Sequence, residues 1–227
     1  MAGCKDHDPR RPVRARPRPA SAPALITHRW PADPEHITRA AQRLHQGAVI
    51  AFPTDTVYAV GARALDPSAV RRLYAVKRRS DQQPVVLLVS EPDQVRGWAV
   101  VGERAEALMT RFWPGPLTLV LPRRAGGPIV GAAGPTVAFR APDNPVALQL
   151  LRAFGEPIAS SSANRAGAPP PVDADGVFKS IEHEVDLILD GGPTVIGTPS
   201  TILDLSGDVP RVLRQGSLSE MELLGSS

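Results

Sequence analysis

One cysteine, Cys4, stands in 227 residues, which rules out an internal disulfide and a thiolate metal cluster. A reducing, cytoplasmic setting fits that scarcity. No run of 18 apolar residues occurs, so no segment is expected to span a membrane. The phosphate loop GxxxxGK(S/T) and the dinucleotide turn GxGxxG are both missing. No serine sits in a GxSxG elbow. Four of the five histidines lie at or before position 45, and only His183 comes later. That leaves too few ligands for a zinc site, and no metal-binding residues are expected. A hydrolase triad of Ser162, His183 (read as lying in an exposed helix) and Asp186 has little to recommend it.

What is present is basic, but unevenly so. Lys5, Arg10, Arg11, Arg14, Arg16, Arg18 and Arg29 stand against Asp6 and Asp8, so residues 1–29 hold +5. The whole chain holds +3, which leaves −2 on residues 30–227. The folded part is therefore not the cationic surface expected of a bulk nucleic-acid binder. The stretch RRPVRARPRPASAP cannot bury enough surface to fold. Residues 1–29 are read as a disordered Arg/Pro tail and residues 30–227 as one domain.

Helices in that domain share one start signal, an Asp or Asn cap followed by Pro. Asp33-Pro34 opens a helix to about Gln46, stopped by Gly47. Asp66-Pro67 and Asn144-Pro145 open two more, the second closed by Gly155, and Glu103–Phe112 is amphipathic. Short apolar runs read as strands: 48–52, 85–89, 117–121, 137–140, 157–160 and 187–189. Runs 201–205 and 209–213 flank Ser206-Gly207-Asp208 as a hairpin. Alternating strands and helices predict an α/β layered architecture, and the terminal hairpin argues against an all-parallel sheet.

Five segments could carry chemistry. FPTDTVYAVG at 52–61 follows a strand; Thr and Asp commonly cap turns there, and Gly61 permits close backbone approach. Lys77-Arg78-Arg79 closes a helix, where cations suit the helix end, though three adjacent cations also invite an anion. Arg140 ends an apolar strand, a usual place for a snorkelling arginine, yet also where α/β proteins gather ligands. SSSAN at 160–164 follows another strand. Ser200 opens the final hairpin and Arg214 closes it, so both can meet one site.

In this order and spacing, the segments together resemble the YrdC/Sua5 family over about residues 30–216. Trp113-Pro114-Gly115-Pro116-Leu117-Thr118 resembles the family's PGP(L/V)T turn and is read as architecture. Ala59-Val60 replaces a common Gly-Leu, and Ser80 a common proline. The resemblance implies a single-domain YrdC-like α/β fold, with a twisted mixed parallel and antiparallel sheet flanked by helices around a concave cavity. The chain lacks the zinc-finger and acylphosphatase segments of the related hydrogenase-maturation proteins, and the short form of the family is expected.

The activity that the resemblance implies is synthesis of threonylcarbamoyl-adenylate and pyrophosphate from L-threonine, bicarbonate or CO2, and ATP, with Mg²⁺ accompanying ATP. The product would pass to a tRNA-modifying transferase complex making threonylcarbamoyladenosine. Lys77, Arg79, Ser162 and Asn164 form the family's catalytic set. Thr56, Leu88, Arg140, Ser160 and Ser200 match threonine contacts. Lys77, Arg79, Gln83, Thr136, Ser162, Asn164, Pro170 and Arg214 match ATP contacts. The alternative is a YciO-like or RNA-binding YrdC module that takes nucleotide, tRNA or double-stranded RNA.

Overall fold

The computed structural model describes residues 25–78, 85–128, 130 and 134–225. Tail residues 1–24 therefore lie outside the described residues, as do Arg79 and Gln83. The first strand, β1 (His28–Pro31), begins inside the stretch assigned to the tail.

Capping sets the helix starts. The Asp33 carboxylate accepts from His36 N at 2.9 Å at the head of α1 (Pro34–His45). Asp66 accepts from the amides of Ser68 and Ala69 at the head of α2 (Pro67–Lys77). Asn144 accepts from those of Val146 and Ala147 at the head of α4 (Pro145–Phe154). In each case a side chain satisfies amides that the helix itself leaves free. Gly155 then ends α4 at φ +76°, a conformation that favours glycine. The helix α3 spans Glu103–Phe112 as predicted. Two helices escape the sequence reading, α5 (Ala174–Ile181) and α6 (Glu220–Leu224). His183 does not lie in a helix: α5 has ended, and its φ of 64° bends the chain while its amide donates to Thr27 Oγ1.

Nine further strands are β2 (Ile50–Phe52), β3 (Ala59–Arg63), β4 (Val86–Leu88), β5 (Leu117–Pro122), β6 (Thr136–Arg140), β7 (Ile158–Ser162), β8 (Leu187–Asp190), β9 (Thr201–Asp204) and β10 (Arg211–Arg214). With β1 they form one mixed sheet in the order β1-β8-β2-β3-β7-β4-β6-β5-β9-β10. The β9–β10 hairpin is antiparallel, as predicted, with an irregularity between Val212 and Arg214. Neither β1 nor β3 stood out in the sequence. β3 reads AVGAR, small residues with a glycine inside, and that composition carries little strand signal.

Side chains alternate across the sheet. Ile50, Phe52, Leu88 and Ile158 pack under α1 and α4. Ala51, Val60, Leu87 and Ala159 face the opposite way, towards α2, α3 and α5. Leu44 of α1 is fully buried in the first layer; truncating such a residue to Ala costs about 2–5 kcal/mol.

Candidate active site

The α1/α4 face of the sheet is left open further along, and that opening is a cavity of about 190 Å³. Register explains its floor. Ser162 pairs with Ala59, Ser160 with Gly61 and Val86, and Leu88 with Arg140, so alternate residues of β3, β7, β4 and β6 reach one face. Gly61 is needed in that floor, since a Cβ there would lie 2.5 Å from Ile158 Cγ2. Thr54, Thr56 and Tyr58, from the loop after β2, form one wall. Thr118, Ser200 and Arg214 form another.

Lys77 is not an exposed helix-end cation. It is 1% exposed, although it is the last residue of α2, which Arg78 ends at a left-handed φ of 49°. Its ammonium donates to the Ser162 carbonyl, to Ser162 Oγ at 3.3 Å and to Asn164 Oδ1 at 3.1 Å. Three of the four residues of the predicted catalytic set thus meet. Asn164 spends its amide on the carbonyls of Arg165 and Ala168, which shapes its loop. Ser162 alone of the three lines the cavity.

Arg140 is buried, not snorkelling, and lines the same cavity. Its Nε donates to the Gly115 carbonyl at 3.0 Å and its Nη1 to Thr56 Oγ1 at 2.8 Å, while Nη2 pairs with Asp55. Among the described residues this leaves one hydrogen on each terminal nitrogen uncommitted, a set suited to two carboxylate oxygens. Burial pushes the guanidinium below its ordinary pKa; Asp55 opposes that, and the positive charge of Arg214 reinforces it. Arg140 stays charged nonetheless, so an anion between the two arginines would be favoured.

The second wall is a chain of hydroxyls. Arg214 donates to the Ser200 carbonyl at 2.9 Å and to Ser200 Oγ at 3.1 Å. Ser200 Oγ lies 2.8 Å from Thr118 Oγ1, with both residues buried. Ser160 donates to the Val86 carbonyl at 3.0 Å, and Leu88 supplies an apolar patch of floor. Tyr58 donates to the Gly192 carbonyl at 2.8 Å, and desolvation pushes its phenol up to about 12.

The five predicted threonine contacts, Thr56, Leu88, Arg140, Ser160 and Ser200, all line this one cavity. The predicted ATP contacts divide. Ser162 and Arg214 line it, with Lys77 and Asn164 bonded behind Ser162. Thr136 lines a second, more apolar cavity of about 260 Å³, which shares Val86 and Ile202 with the first. Pro170 is half-buried and lines neither. Sequence reasoning missed Thr118, taken as architecture, and Asp55, taken as a turn cap. The Gly115 turn is likewise more than architecture, because its carbonyl holds Arg140. The Ser162–His183–Asp186 triad does not form: His183 Nδ1 lies 3.1 Å from the Leu25 carbonyl, and Asp186 pairs with Arg72.

Among the described residues no group of three or more His, Cys, Asp or Glu gathers that could hold a metal ion. No helix among them is long and apolar enough to cross a membrane.

Residues 42–216 match the family described as Sua5_yciO_yrdC, Telomere recombination. The chain is 42% identical over 194 residues to the threonylcarbamoyl-AMP synthase of Bacillus subtilis, covering 84% of this chain and 56% of that protein. It is 37% identical over 180 residues to the threonylcarbamoyl-AMP synthase of Chromohalobacter salexigens, covering 78% and 97%. The crystal structure of Pyrococcus abyssi Sua5 complexed with L-threonine superimposes with a TM-score of 0.81 at 39% identity, covering 88% of this chain and 61% of that one. The chain thus spans little more than half the length of the Bacillus and Pyrococcus proteins.

Proposed function

The chain belongs to the Sua5/YciO/YrdC family, and from that membership we propose that it joins L-threonine, bicarbonate or CO2, and ATP into threonylcarbamoyl-adenylate and pyrophosphate. The observation that carries this reading is Arg140. A buried guanidinium with, among the described residues, one uncommitted hydrogen on each terminal nitrogen lines the cavity that Ser162 and Arg214 also line.

In this reading Arg140 grips the threonine carboxylate, with Thr56 and Ser200 orienting the amino acid and Leu88 meeting its apolar part. The threonine amine attacks CO2, forming the carbamate N–C bond and releasing a proton. A carbamate oxygen then attacks the α-phosphorus of ATP, and the bond to the β-phosphate oxygen breaks to release pyrophosphate. The two anions repel. Arg214 offsets that repulsion from the cavity wall and Lys77 from behind Ser162, and the family resemblance adds the charge of Arg79. The protein's contribution is positioning and charge neutralisation, and no side chain is assigned as general base.

Mg²⁺ suits this donor set when it arrives on the triphosphate and keeps its phosphate and water ligands. The adenylate would pass to a tRNA-modifying transferase for threonylcarbamoyladenosine synthesis, in the cytoplasm. The deciding experiment is pyrophosphate release from purified protein with threonine, bicarbonate, Mg²⁺ and ATP. Release that continues unchanged without threonine, or without bicarbonate, overturns the assignment. A protein that only binds structured RNA would release none and would ignore threonine in a thermal-shift assay.

A further inference from the structure

We propose that Asp55 is the positioning residue of the carboxylate grip: it aims the Arg140 guanidinium into the cavity without itself touching the ligand. The proposal rests on the assignment of Arg140 to a carboxylate. Arg140 lines the cavity and Asp55 does not, although the two side chains are in contact. Both are almost fully enclosed, with side chains 7% and 6% exposed. The carboxylate thus lies behind the guanidinium as seen from the cavity.

The form of the contact gives it a purpose beyond charge balance. Asp55 uses a single oxygen, Oδ1, for Arg140, and the same oxygen accepts from the Asp143 amide at 3.1 Å. Its other oxygen, Oδ2, is buried with no hydrogen-bond partner among the described residues. A pair built for stability would be two-pronged, with both oxygens and both prongs of the fork engaged. A buried acceptor left unpaired is destabilising and calls for an explanation. The one-oxygen contact supplies it: a two-pronged pair would take another guanidinium hydrogen, and the one-oxygen pair leaves it for a ligand.

Asp55 also sits where several segments meet. Its backbone carbonyl accepts from Ile196 N at 2.9 Å, the next residue's carbonyl from Gly197 N, and its Oδ1 fixes Asp143 just ahead of the α4 cap. The backbone that carries Asp55 is thereby held by the Ile196 and Gly197 amides and its carboxylate by the Asp143 amide, and through them the guanidinium.

The test is calorimetric titration of the full chain with L-threonine, with ATP, and with sodium acetate as a bare carboxylate. It is run on the parent and on Asp55→Glu, Asp55→Ala and Asp55→Asn, each first checked for a cooperative thermal transition. Glu keeps the charge but moves it by one methylene. It is expected to weaken threonine at least tenfold while ATP stays within threefold, and Ala is expected to do the same if it folds. Asn keeps the acceptor in place and is expected to hold threonine within threefold of the parent. Threonine affinity unchanged in Glu or Ala overturns the proposal. So does a parallel loss of ATP affinity, and so does an Asn variant as weak as Glu. If the parent binds acetate in an Asp55-dependent way but neither binds threonine nor releases pyrophosphate, the positioning role stands and the threonine reading falls. A parent that binds neither carboxylate overturns both.

Discussion

The Lys77 ammonium meets Asn164 Oδ1 at 3.1 Å across 87 residues of sequence, deep enough that neither side chain is open to water. Lys77 therefore holds the SSSAN loop in place as well as lending charge to the site. Lys77→Met keeps the volume, takes the ammonium away from Asn164 Oδ1 and Ser162 Oγ, and leaves the Ser162 carbonyl with the Asn164 amide. It should cost roughly 2–4 kcal/mol of stability, several unmade buried bonds at once. Urea unfolding checks this, and the ATP-induced thermal shift should shrink in the same variant. Parent-like stability would show that the buried bonds count for nothing.

Arg140→Lys should harm threonine use more than ATP use. Lysine keeps the charge but cannot bond Gly115, Thr56 and Asp55 and still hold two carboxylate oxygens. The KM for threonine should rise about tenfold to a hundredfold, the range of one lost charge-assisted contact, with the KM for ATP moving little. Equal damage to both would place Arg140 on the phosphates.

Thr118→Val removes the hydroxyl that partners Ser200 and nearly preserves shape. Among the described residues Ser200 Oγ then keeps only its bond from Arg214. Loss of one neutral hydrogen bond, about 1 kcal/mol, should raise the threonine KM roughly fivefold, and Thr118→Ser should restore it. No change in Val would return Thr118 to an architectural role.

Tyr58 makes a pH-dependent prediction. Its phenol is desolvated and titrates at about 12 in the folded protein, against an ordinary value of 10.0. A folded-state value above the unfolded one means that the associated stability is fully present below about pH 10. It is lost as pH climbs from there to about 12. Tyr74 is the only other tyrosine, so a Tyr74→Phe variant isolates the signal. Near-ultraviolet phenolate absorbance should rise around pH 12, and Tyr58→Phe should flatten the stability loss in that window. A phenol titrating near 10 in the folded state would contradict the burial described here.

Much of this architecture could be read from short-range chemistry. Asp33, Asp66 and Asn144 announce their helices because a cap and a proline act within one turn. What escaped depends on distant partners. The Asp55 carboxylate looked like a turn cap because Arg140, 85 residues on, is invisible from its neighbours. Thr118 looked like part of a turn because its meaning comes from β5 lying parallel to β9, which brings Ser200 beside it across 82 residues. Lys77 looked like a solvated helix end because the partners of its ammonium, Ser162 and Asn164, stand 85 and 87 residues on. The five residues expected to meet threonine line one cavity, whereas those expected to meet ATP spread over two cavities and beyond, and Arg79 and Gln83 lie outside the described residues.

The cavity wall made by Ser200 and Arg214 comes from the last hairpin of the sheet, while Thr54 and Thr56 come from its first third. On a ribosome adding about 5–20 residues each second, the early wall waits for the late one. Until β9 lies alongside β5, Thr118 has no Ser200 to bond and the groove has only one side. The second wall therefore forms only after the chain has been made through β10, and a nascent chain holding only the early wall has no two-sided cavity.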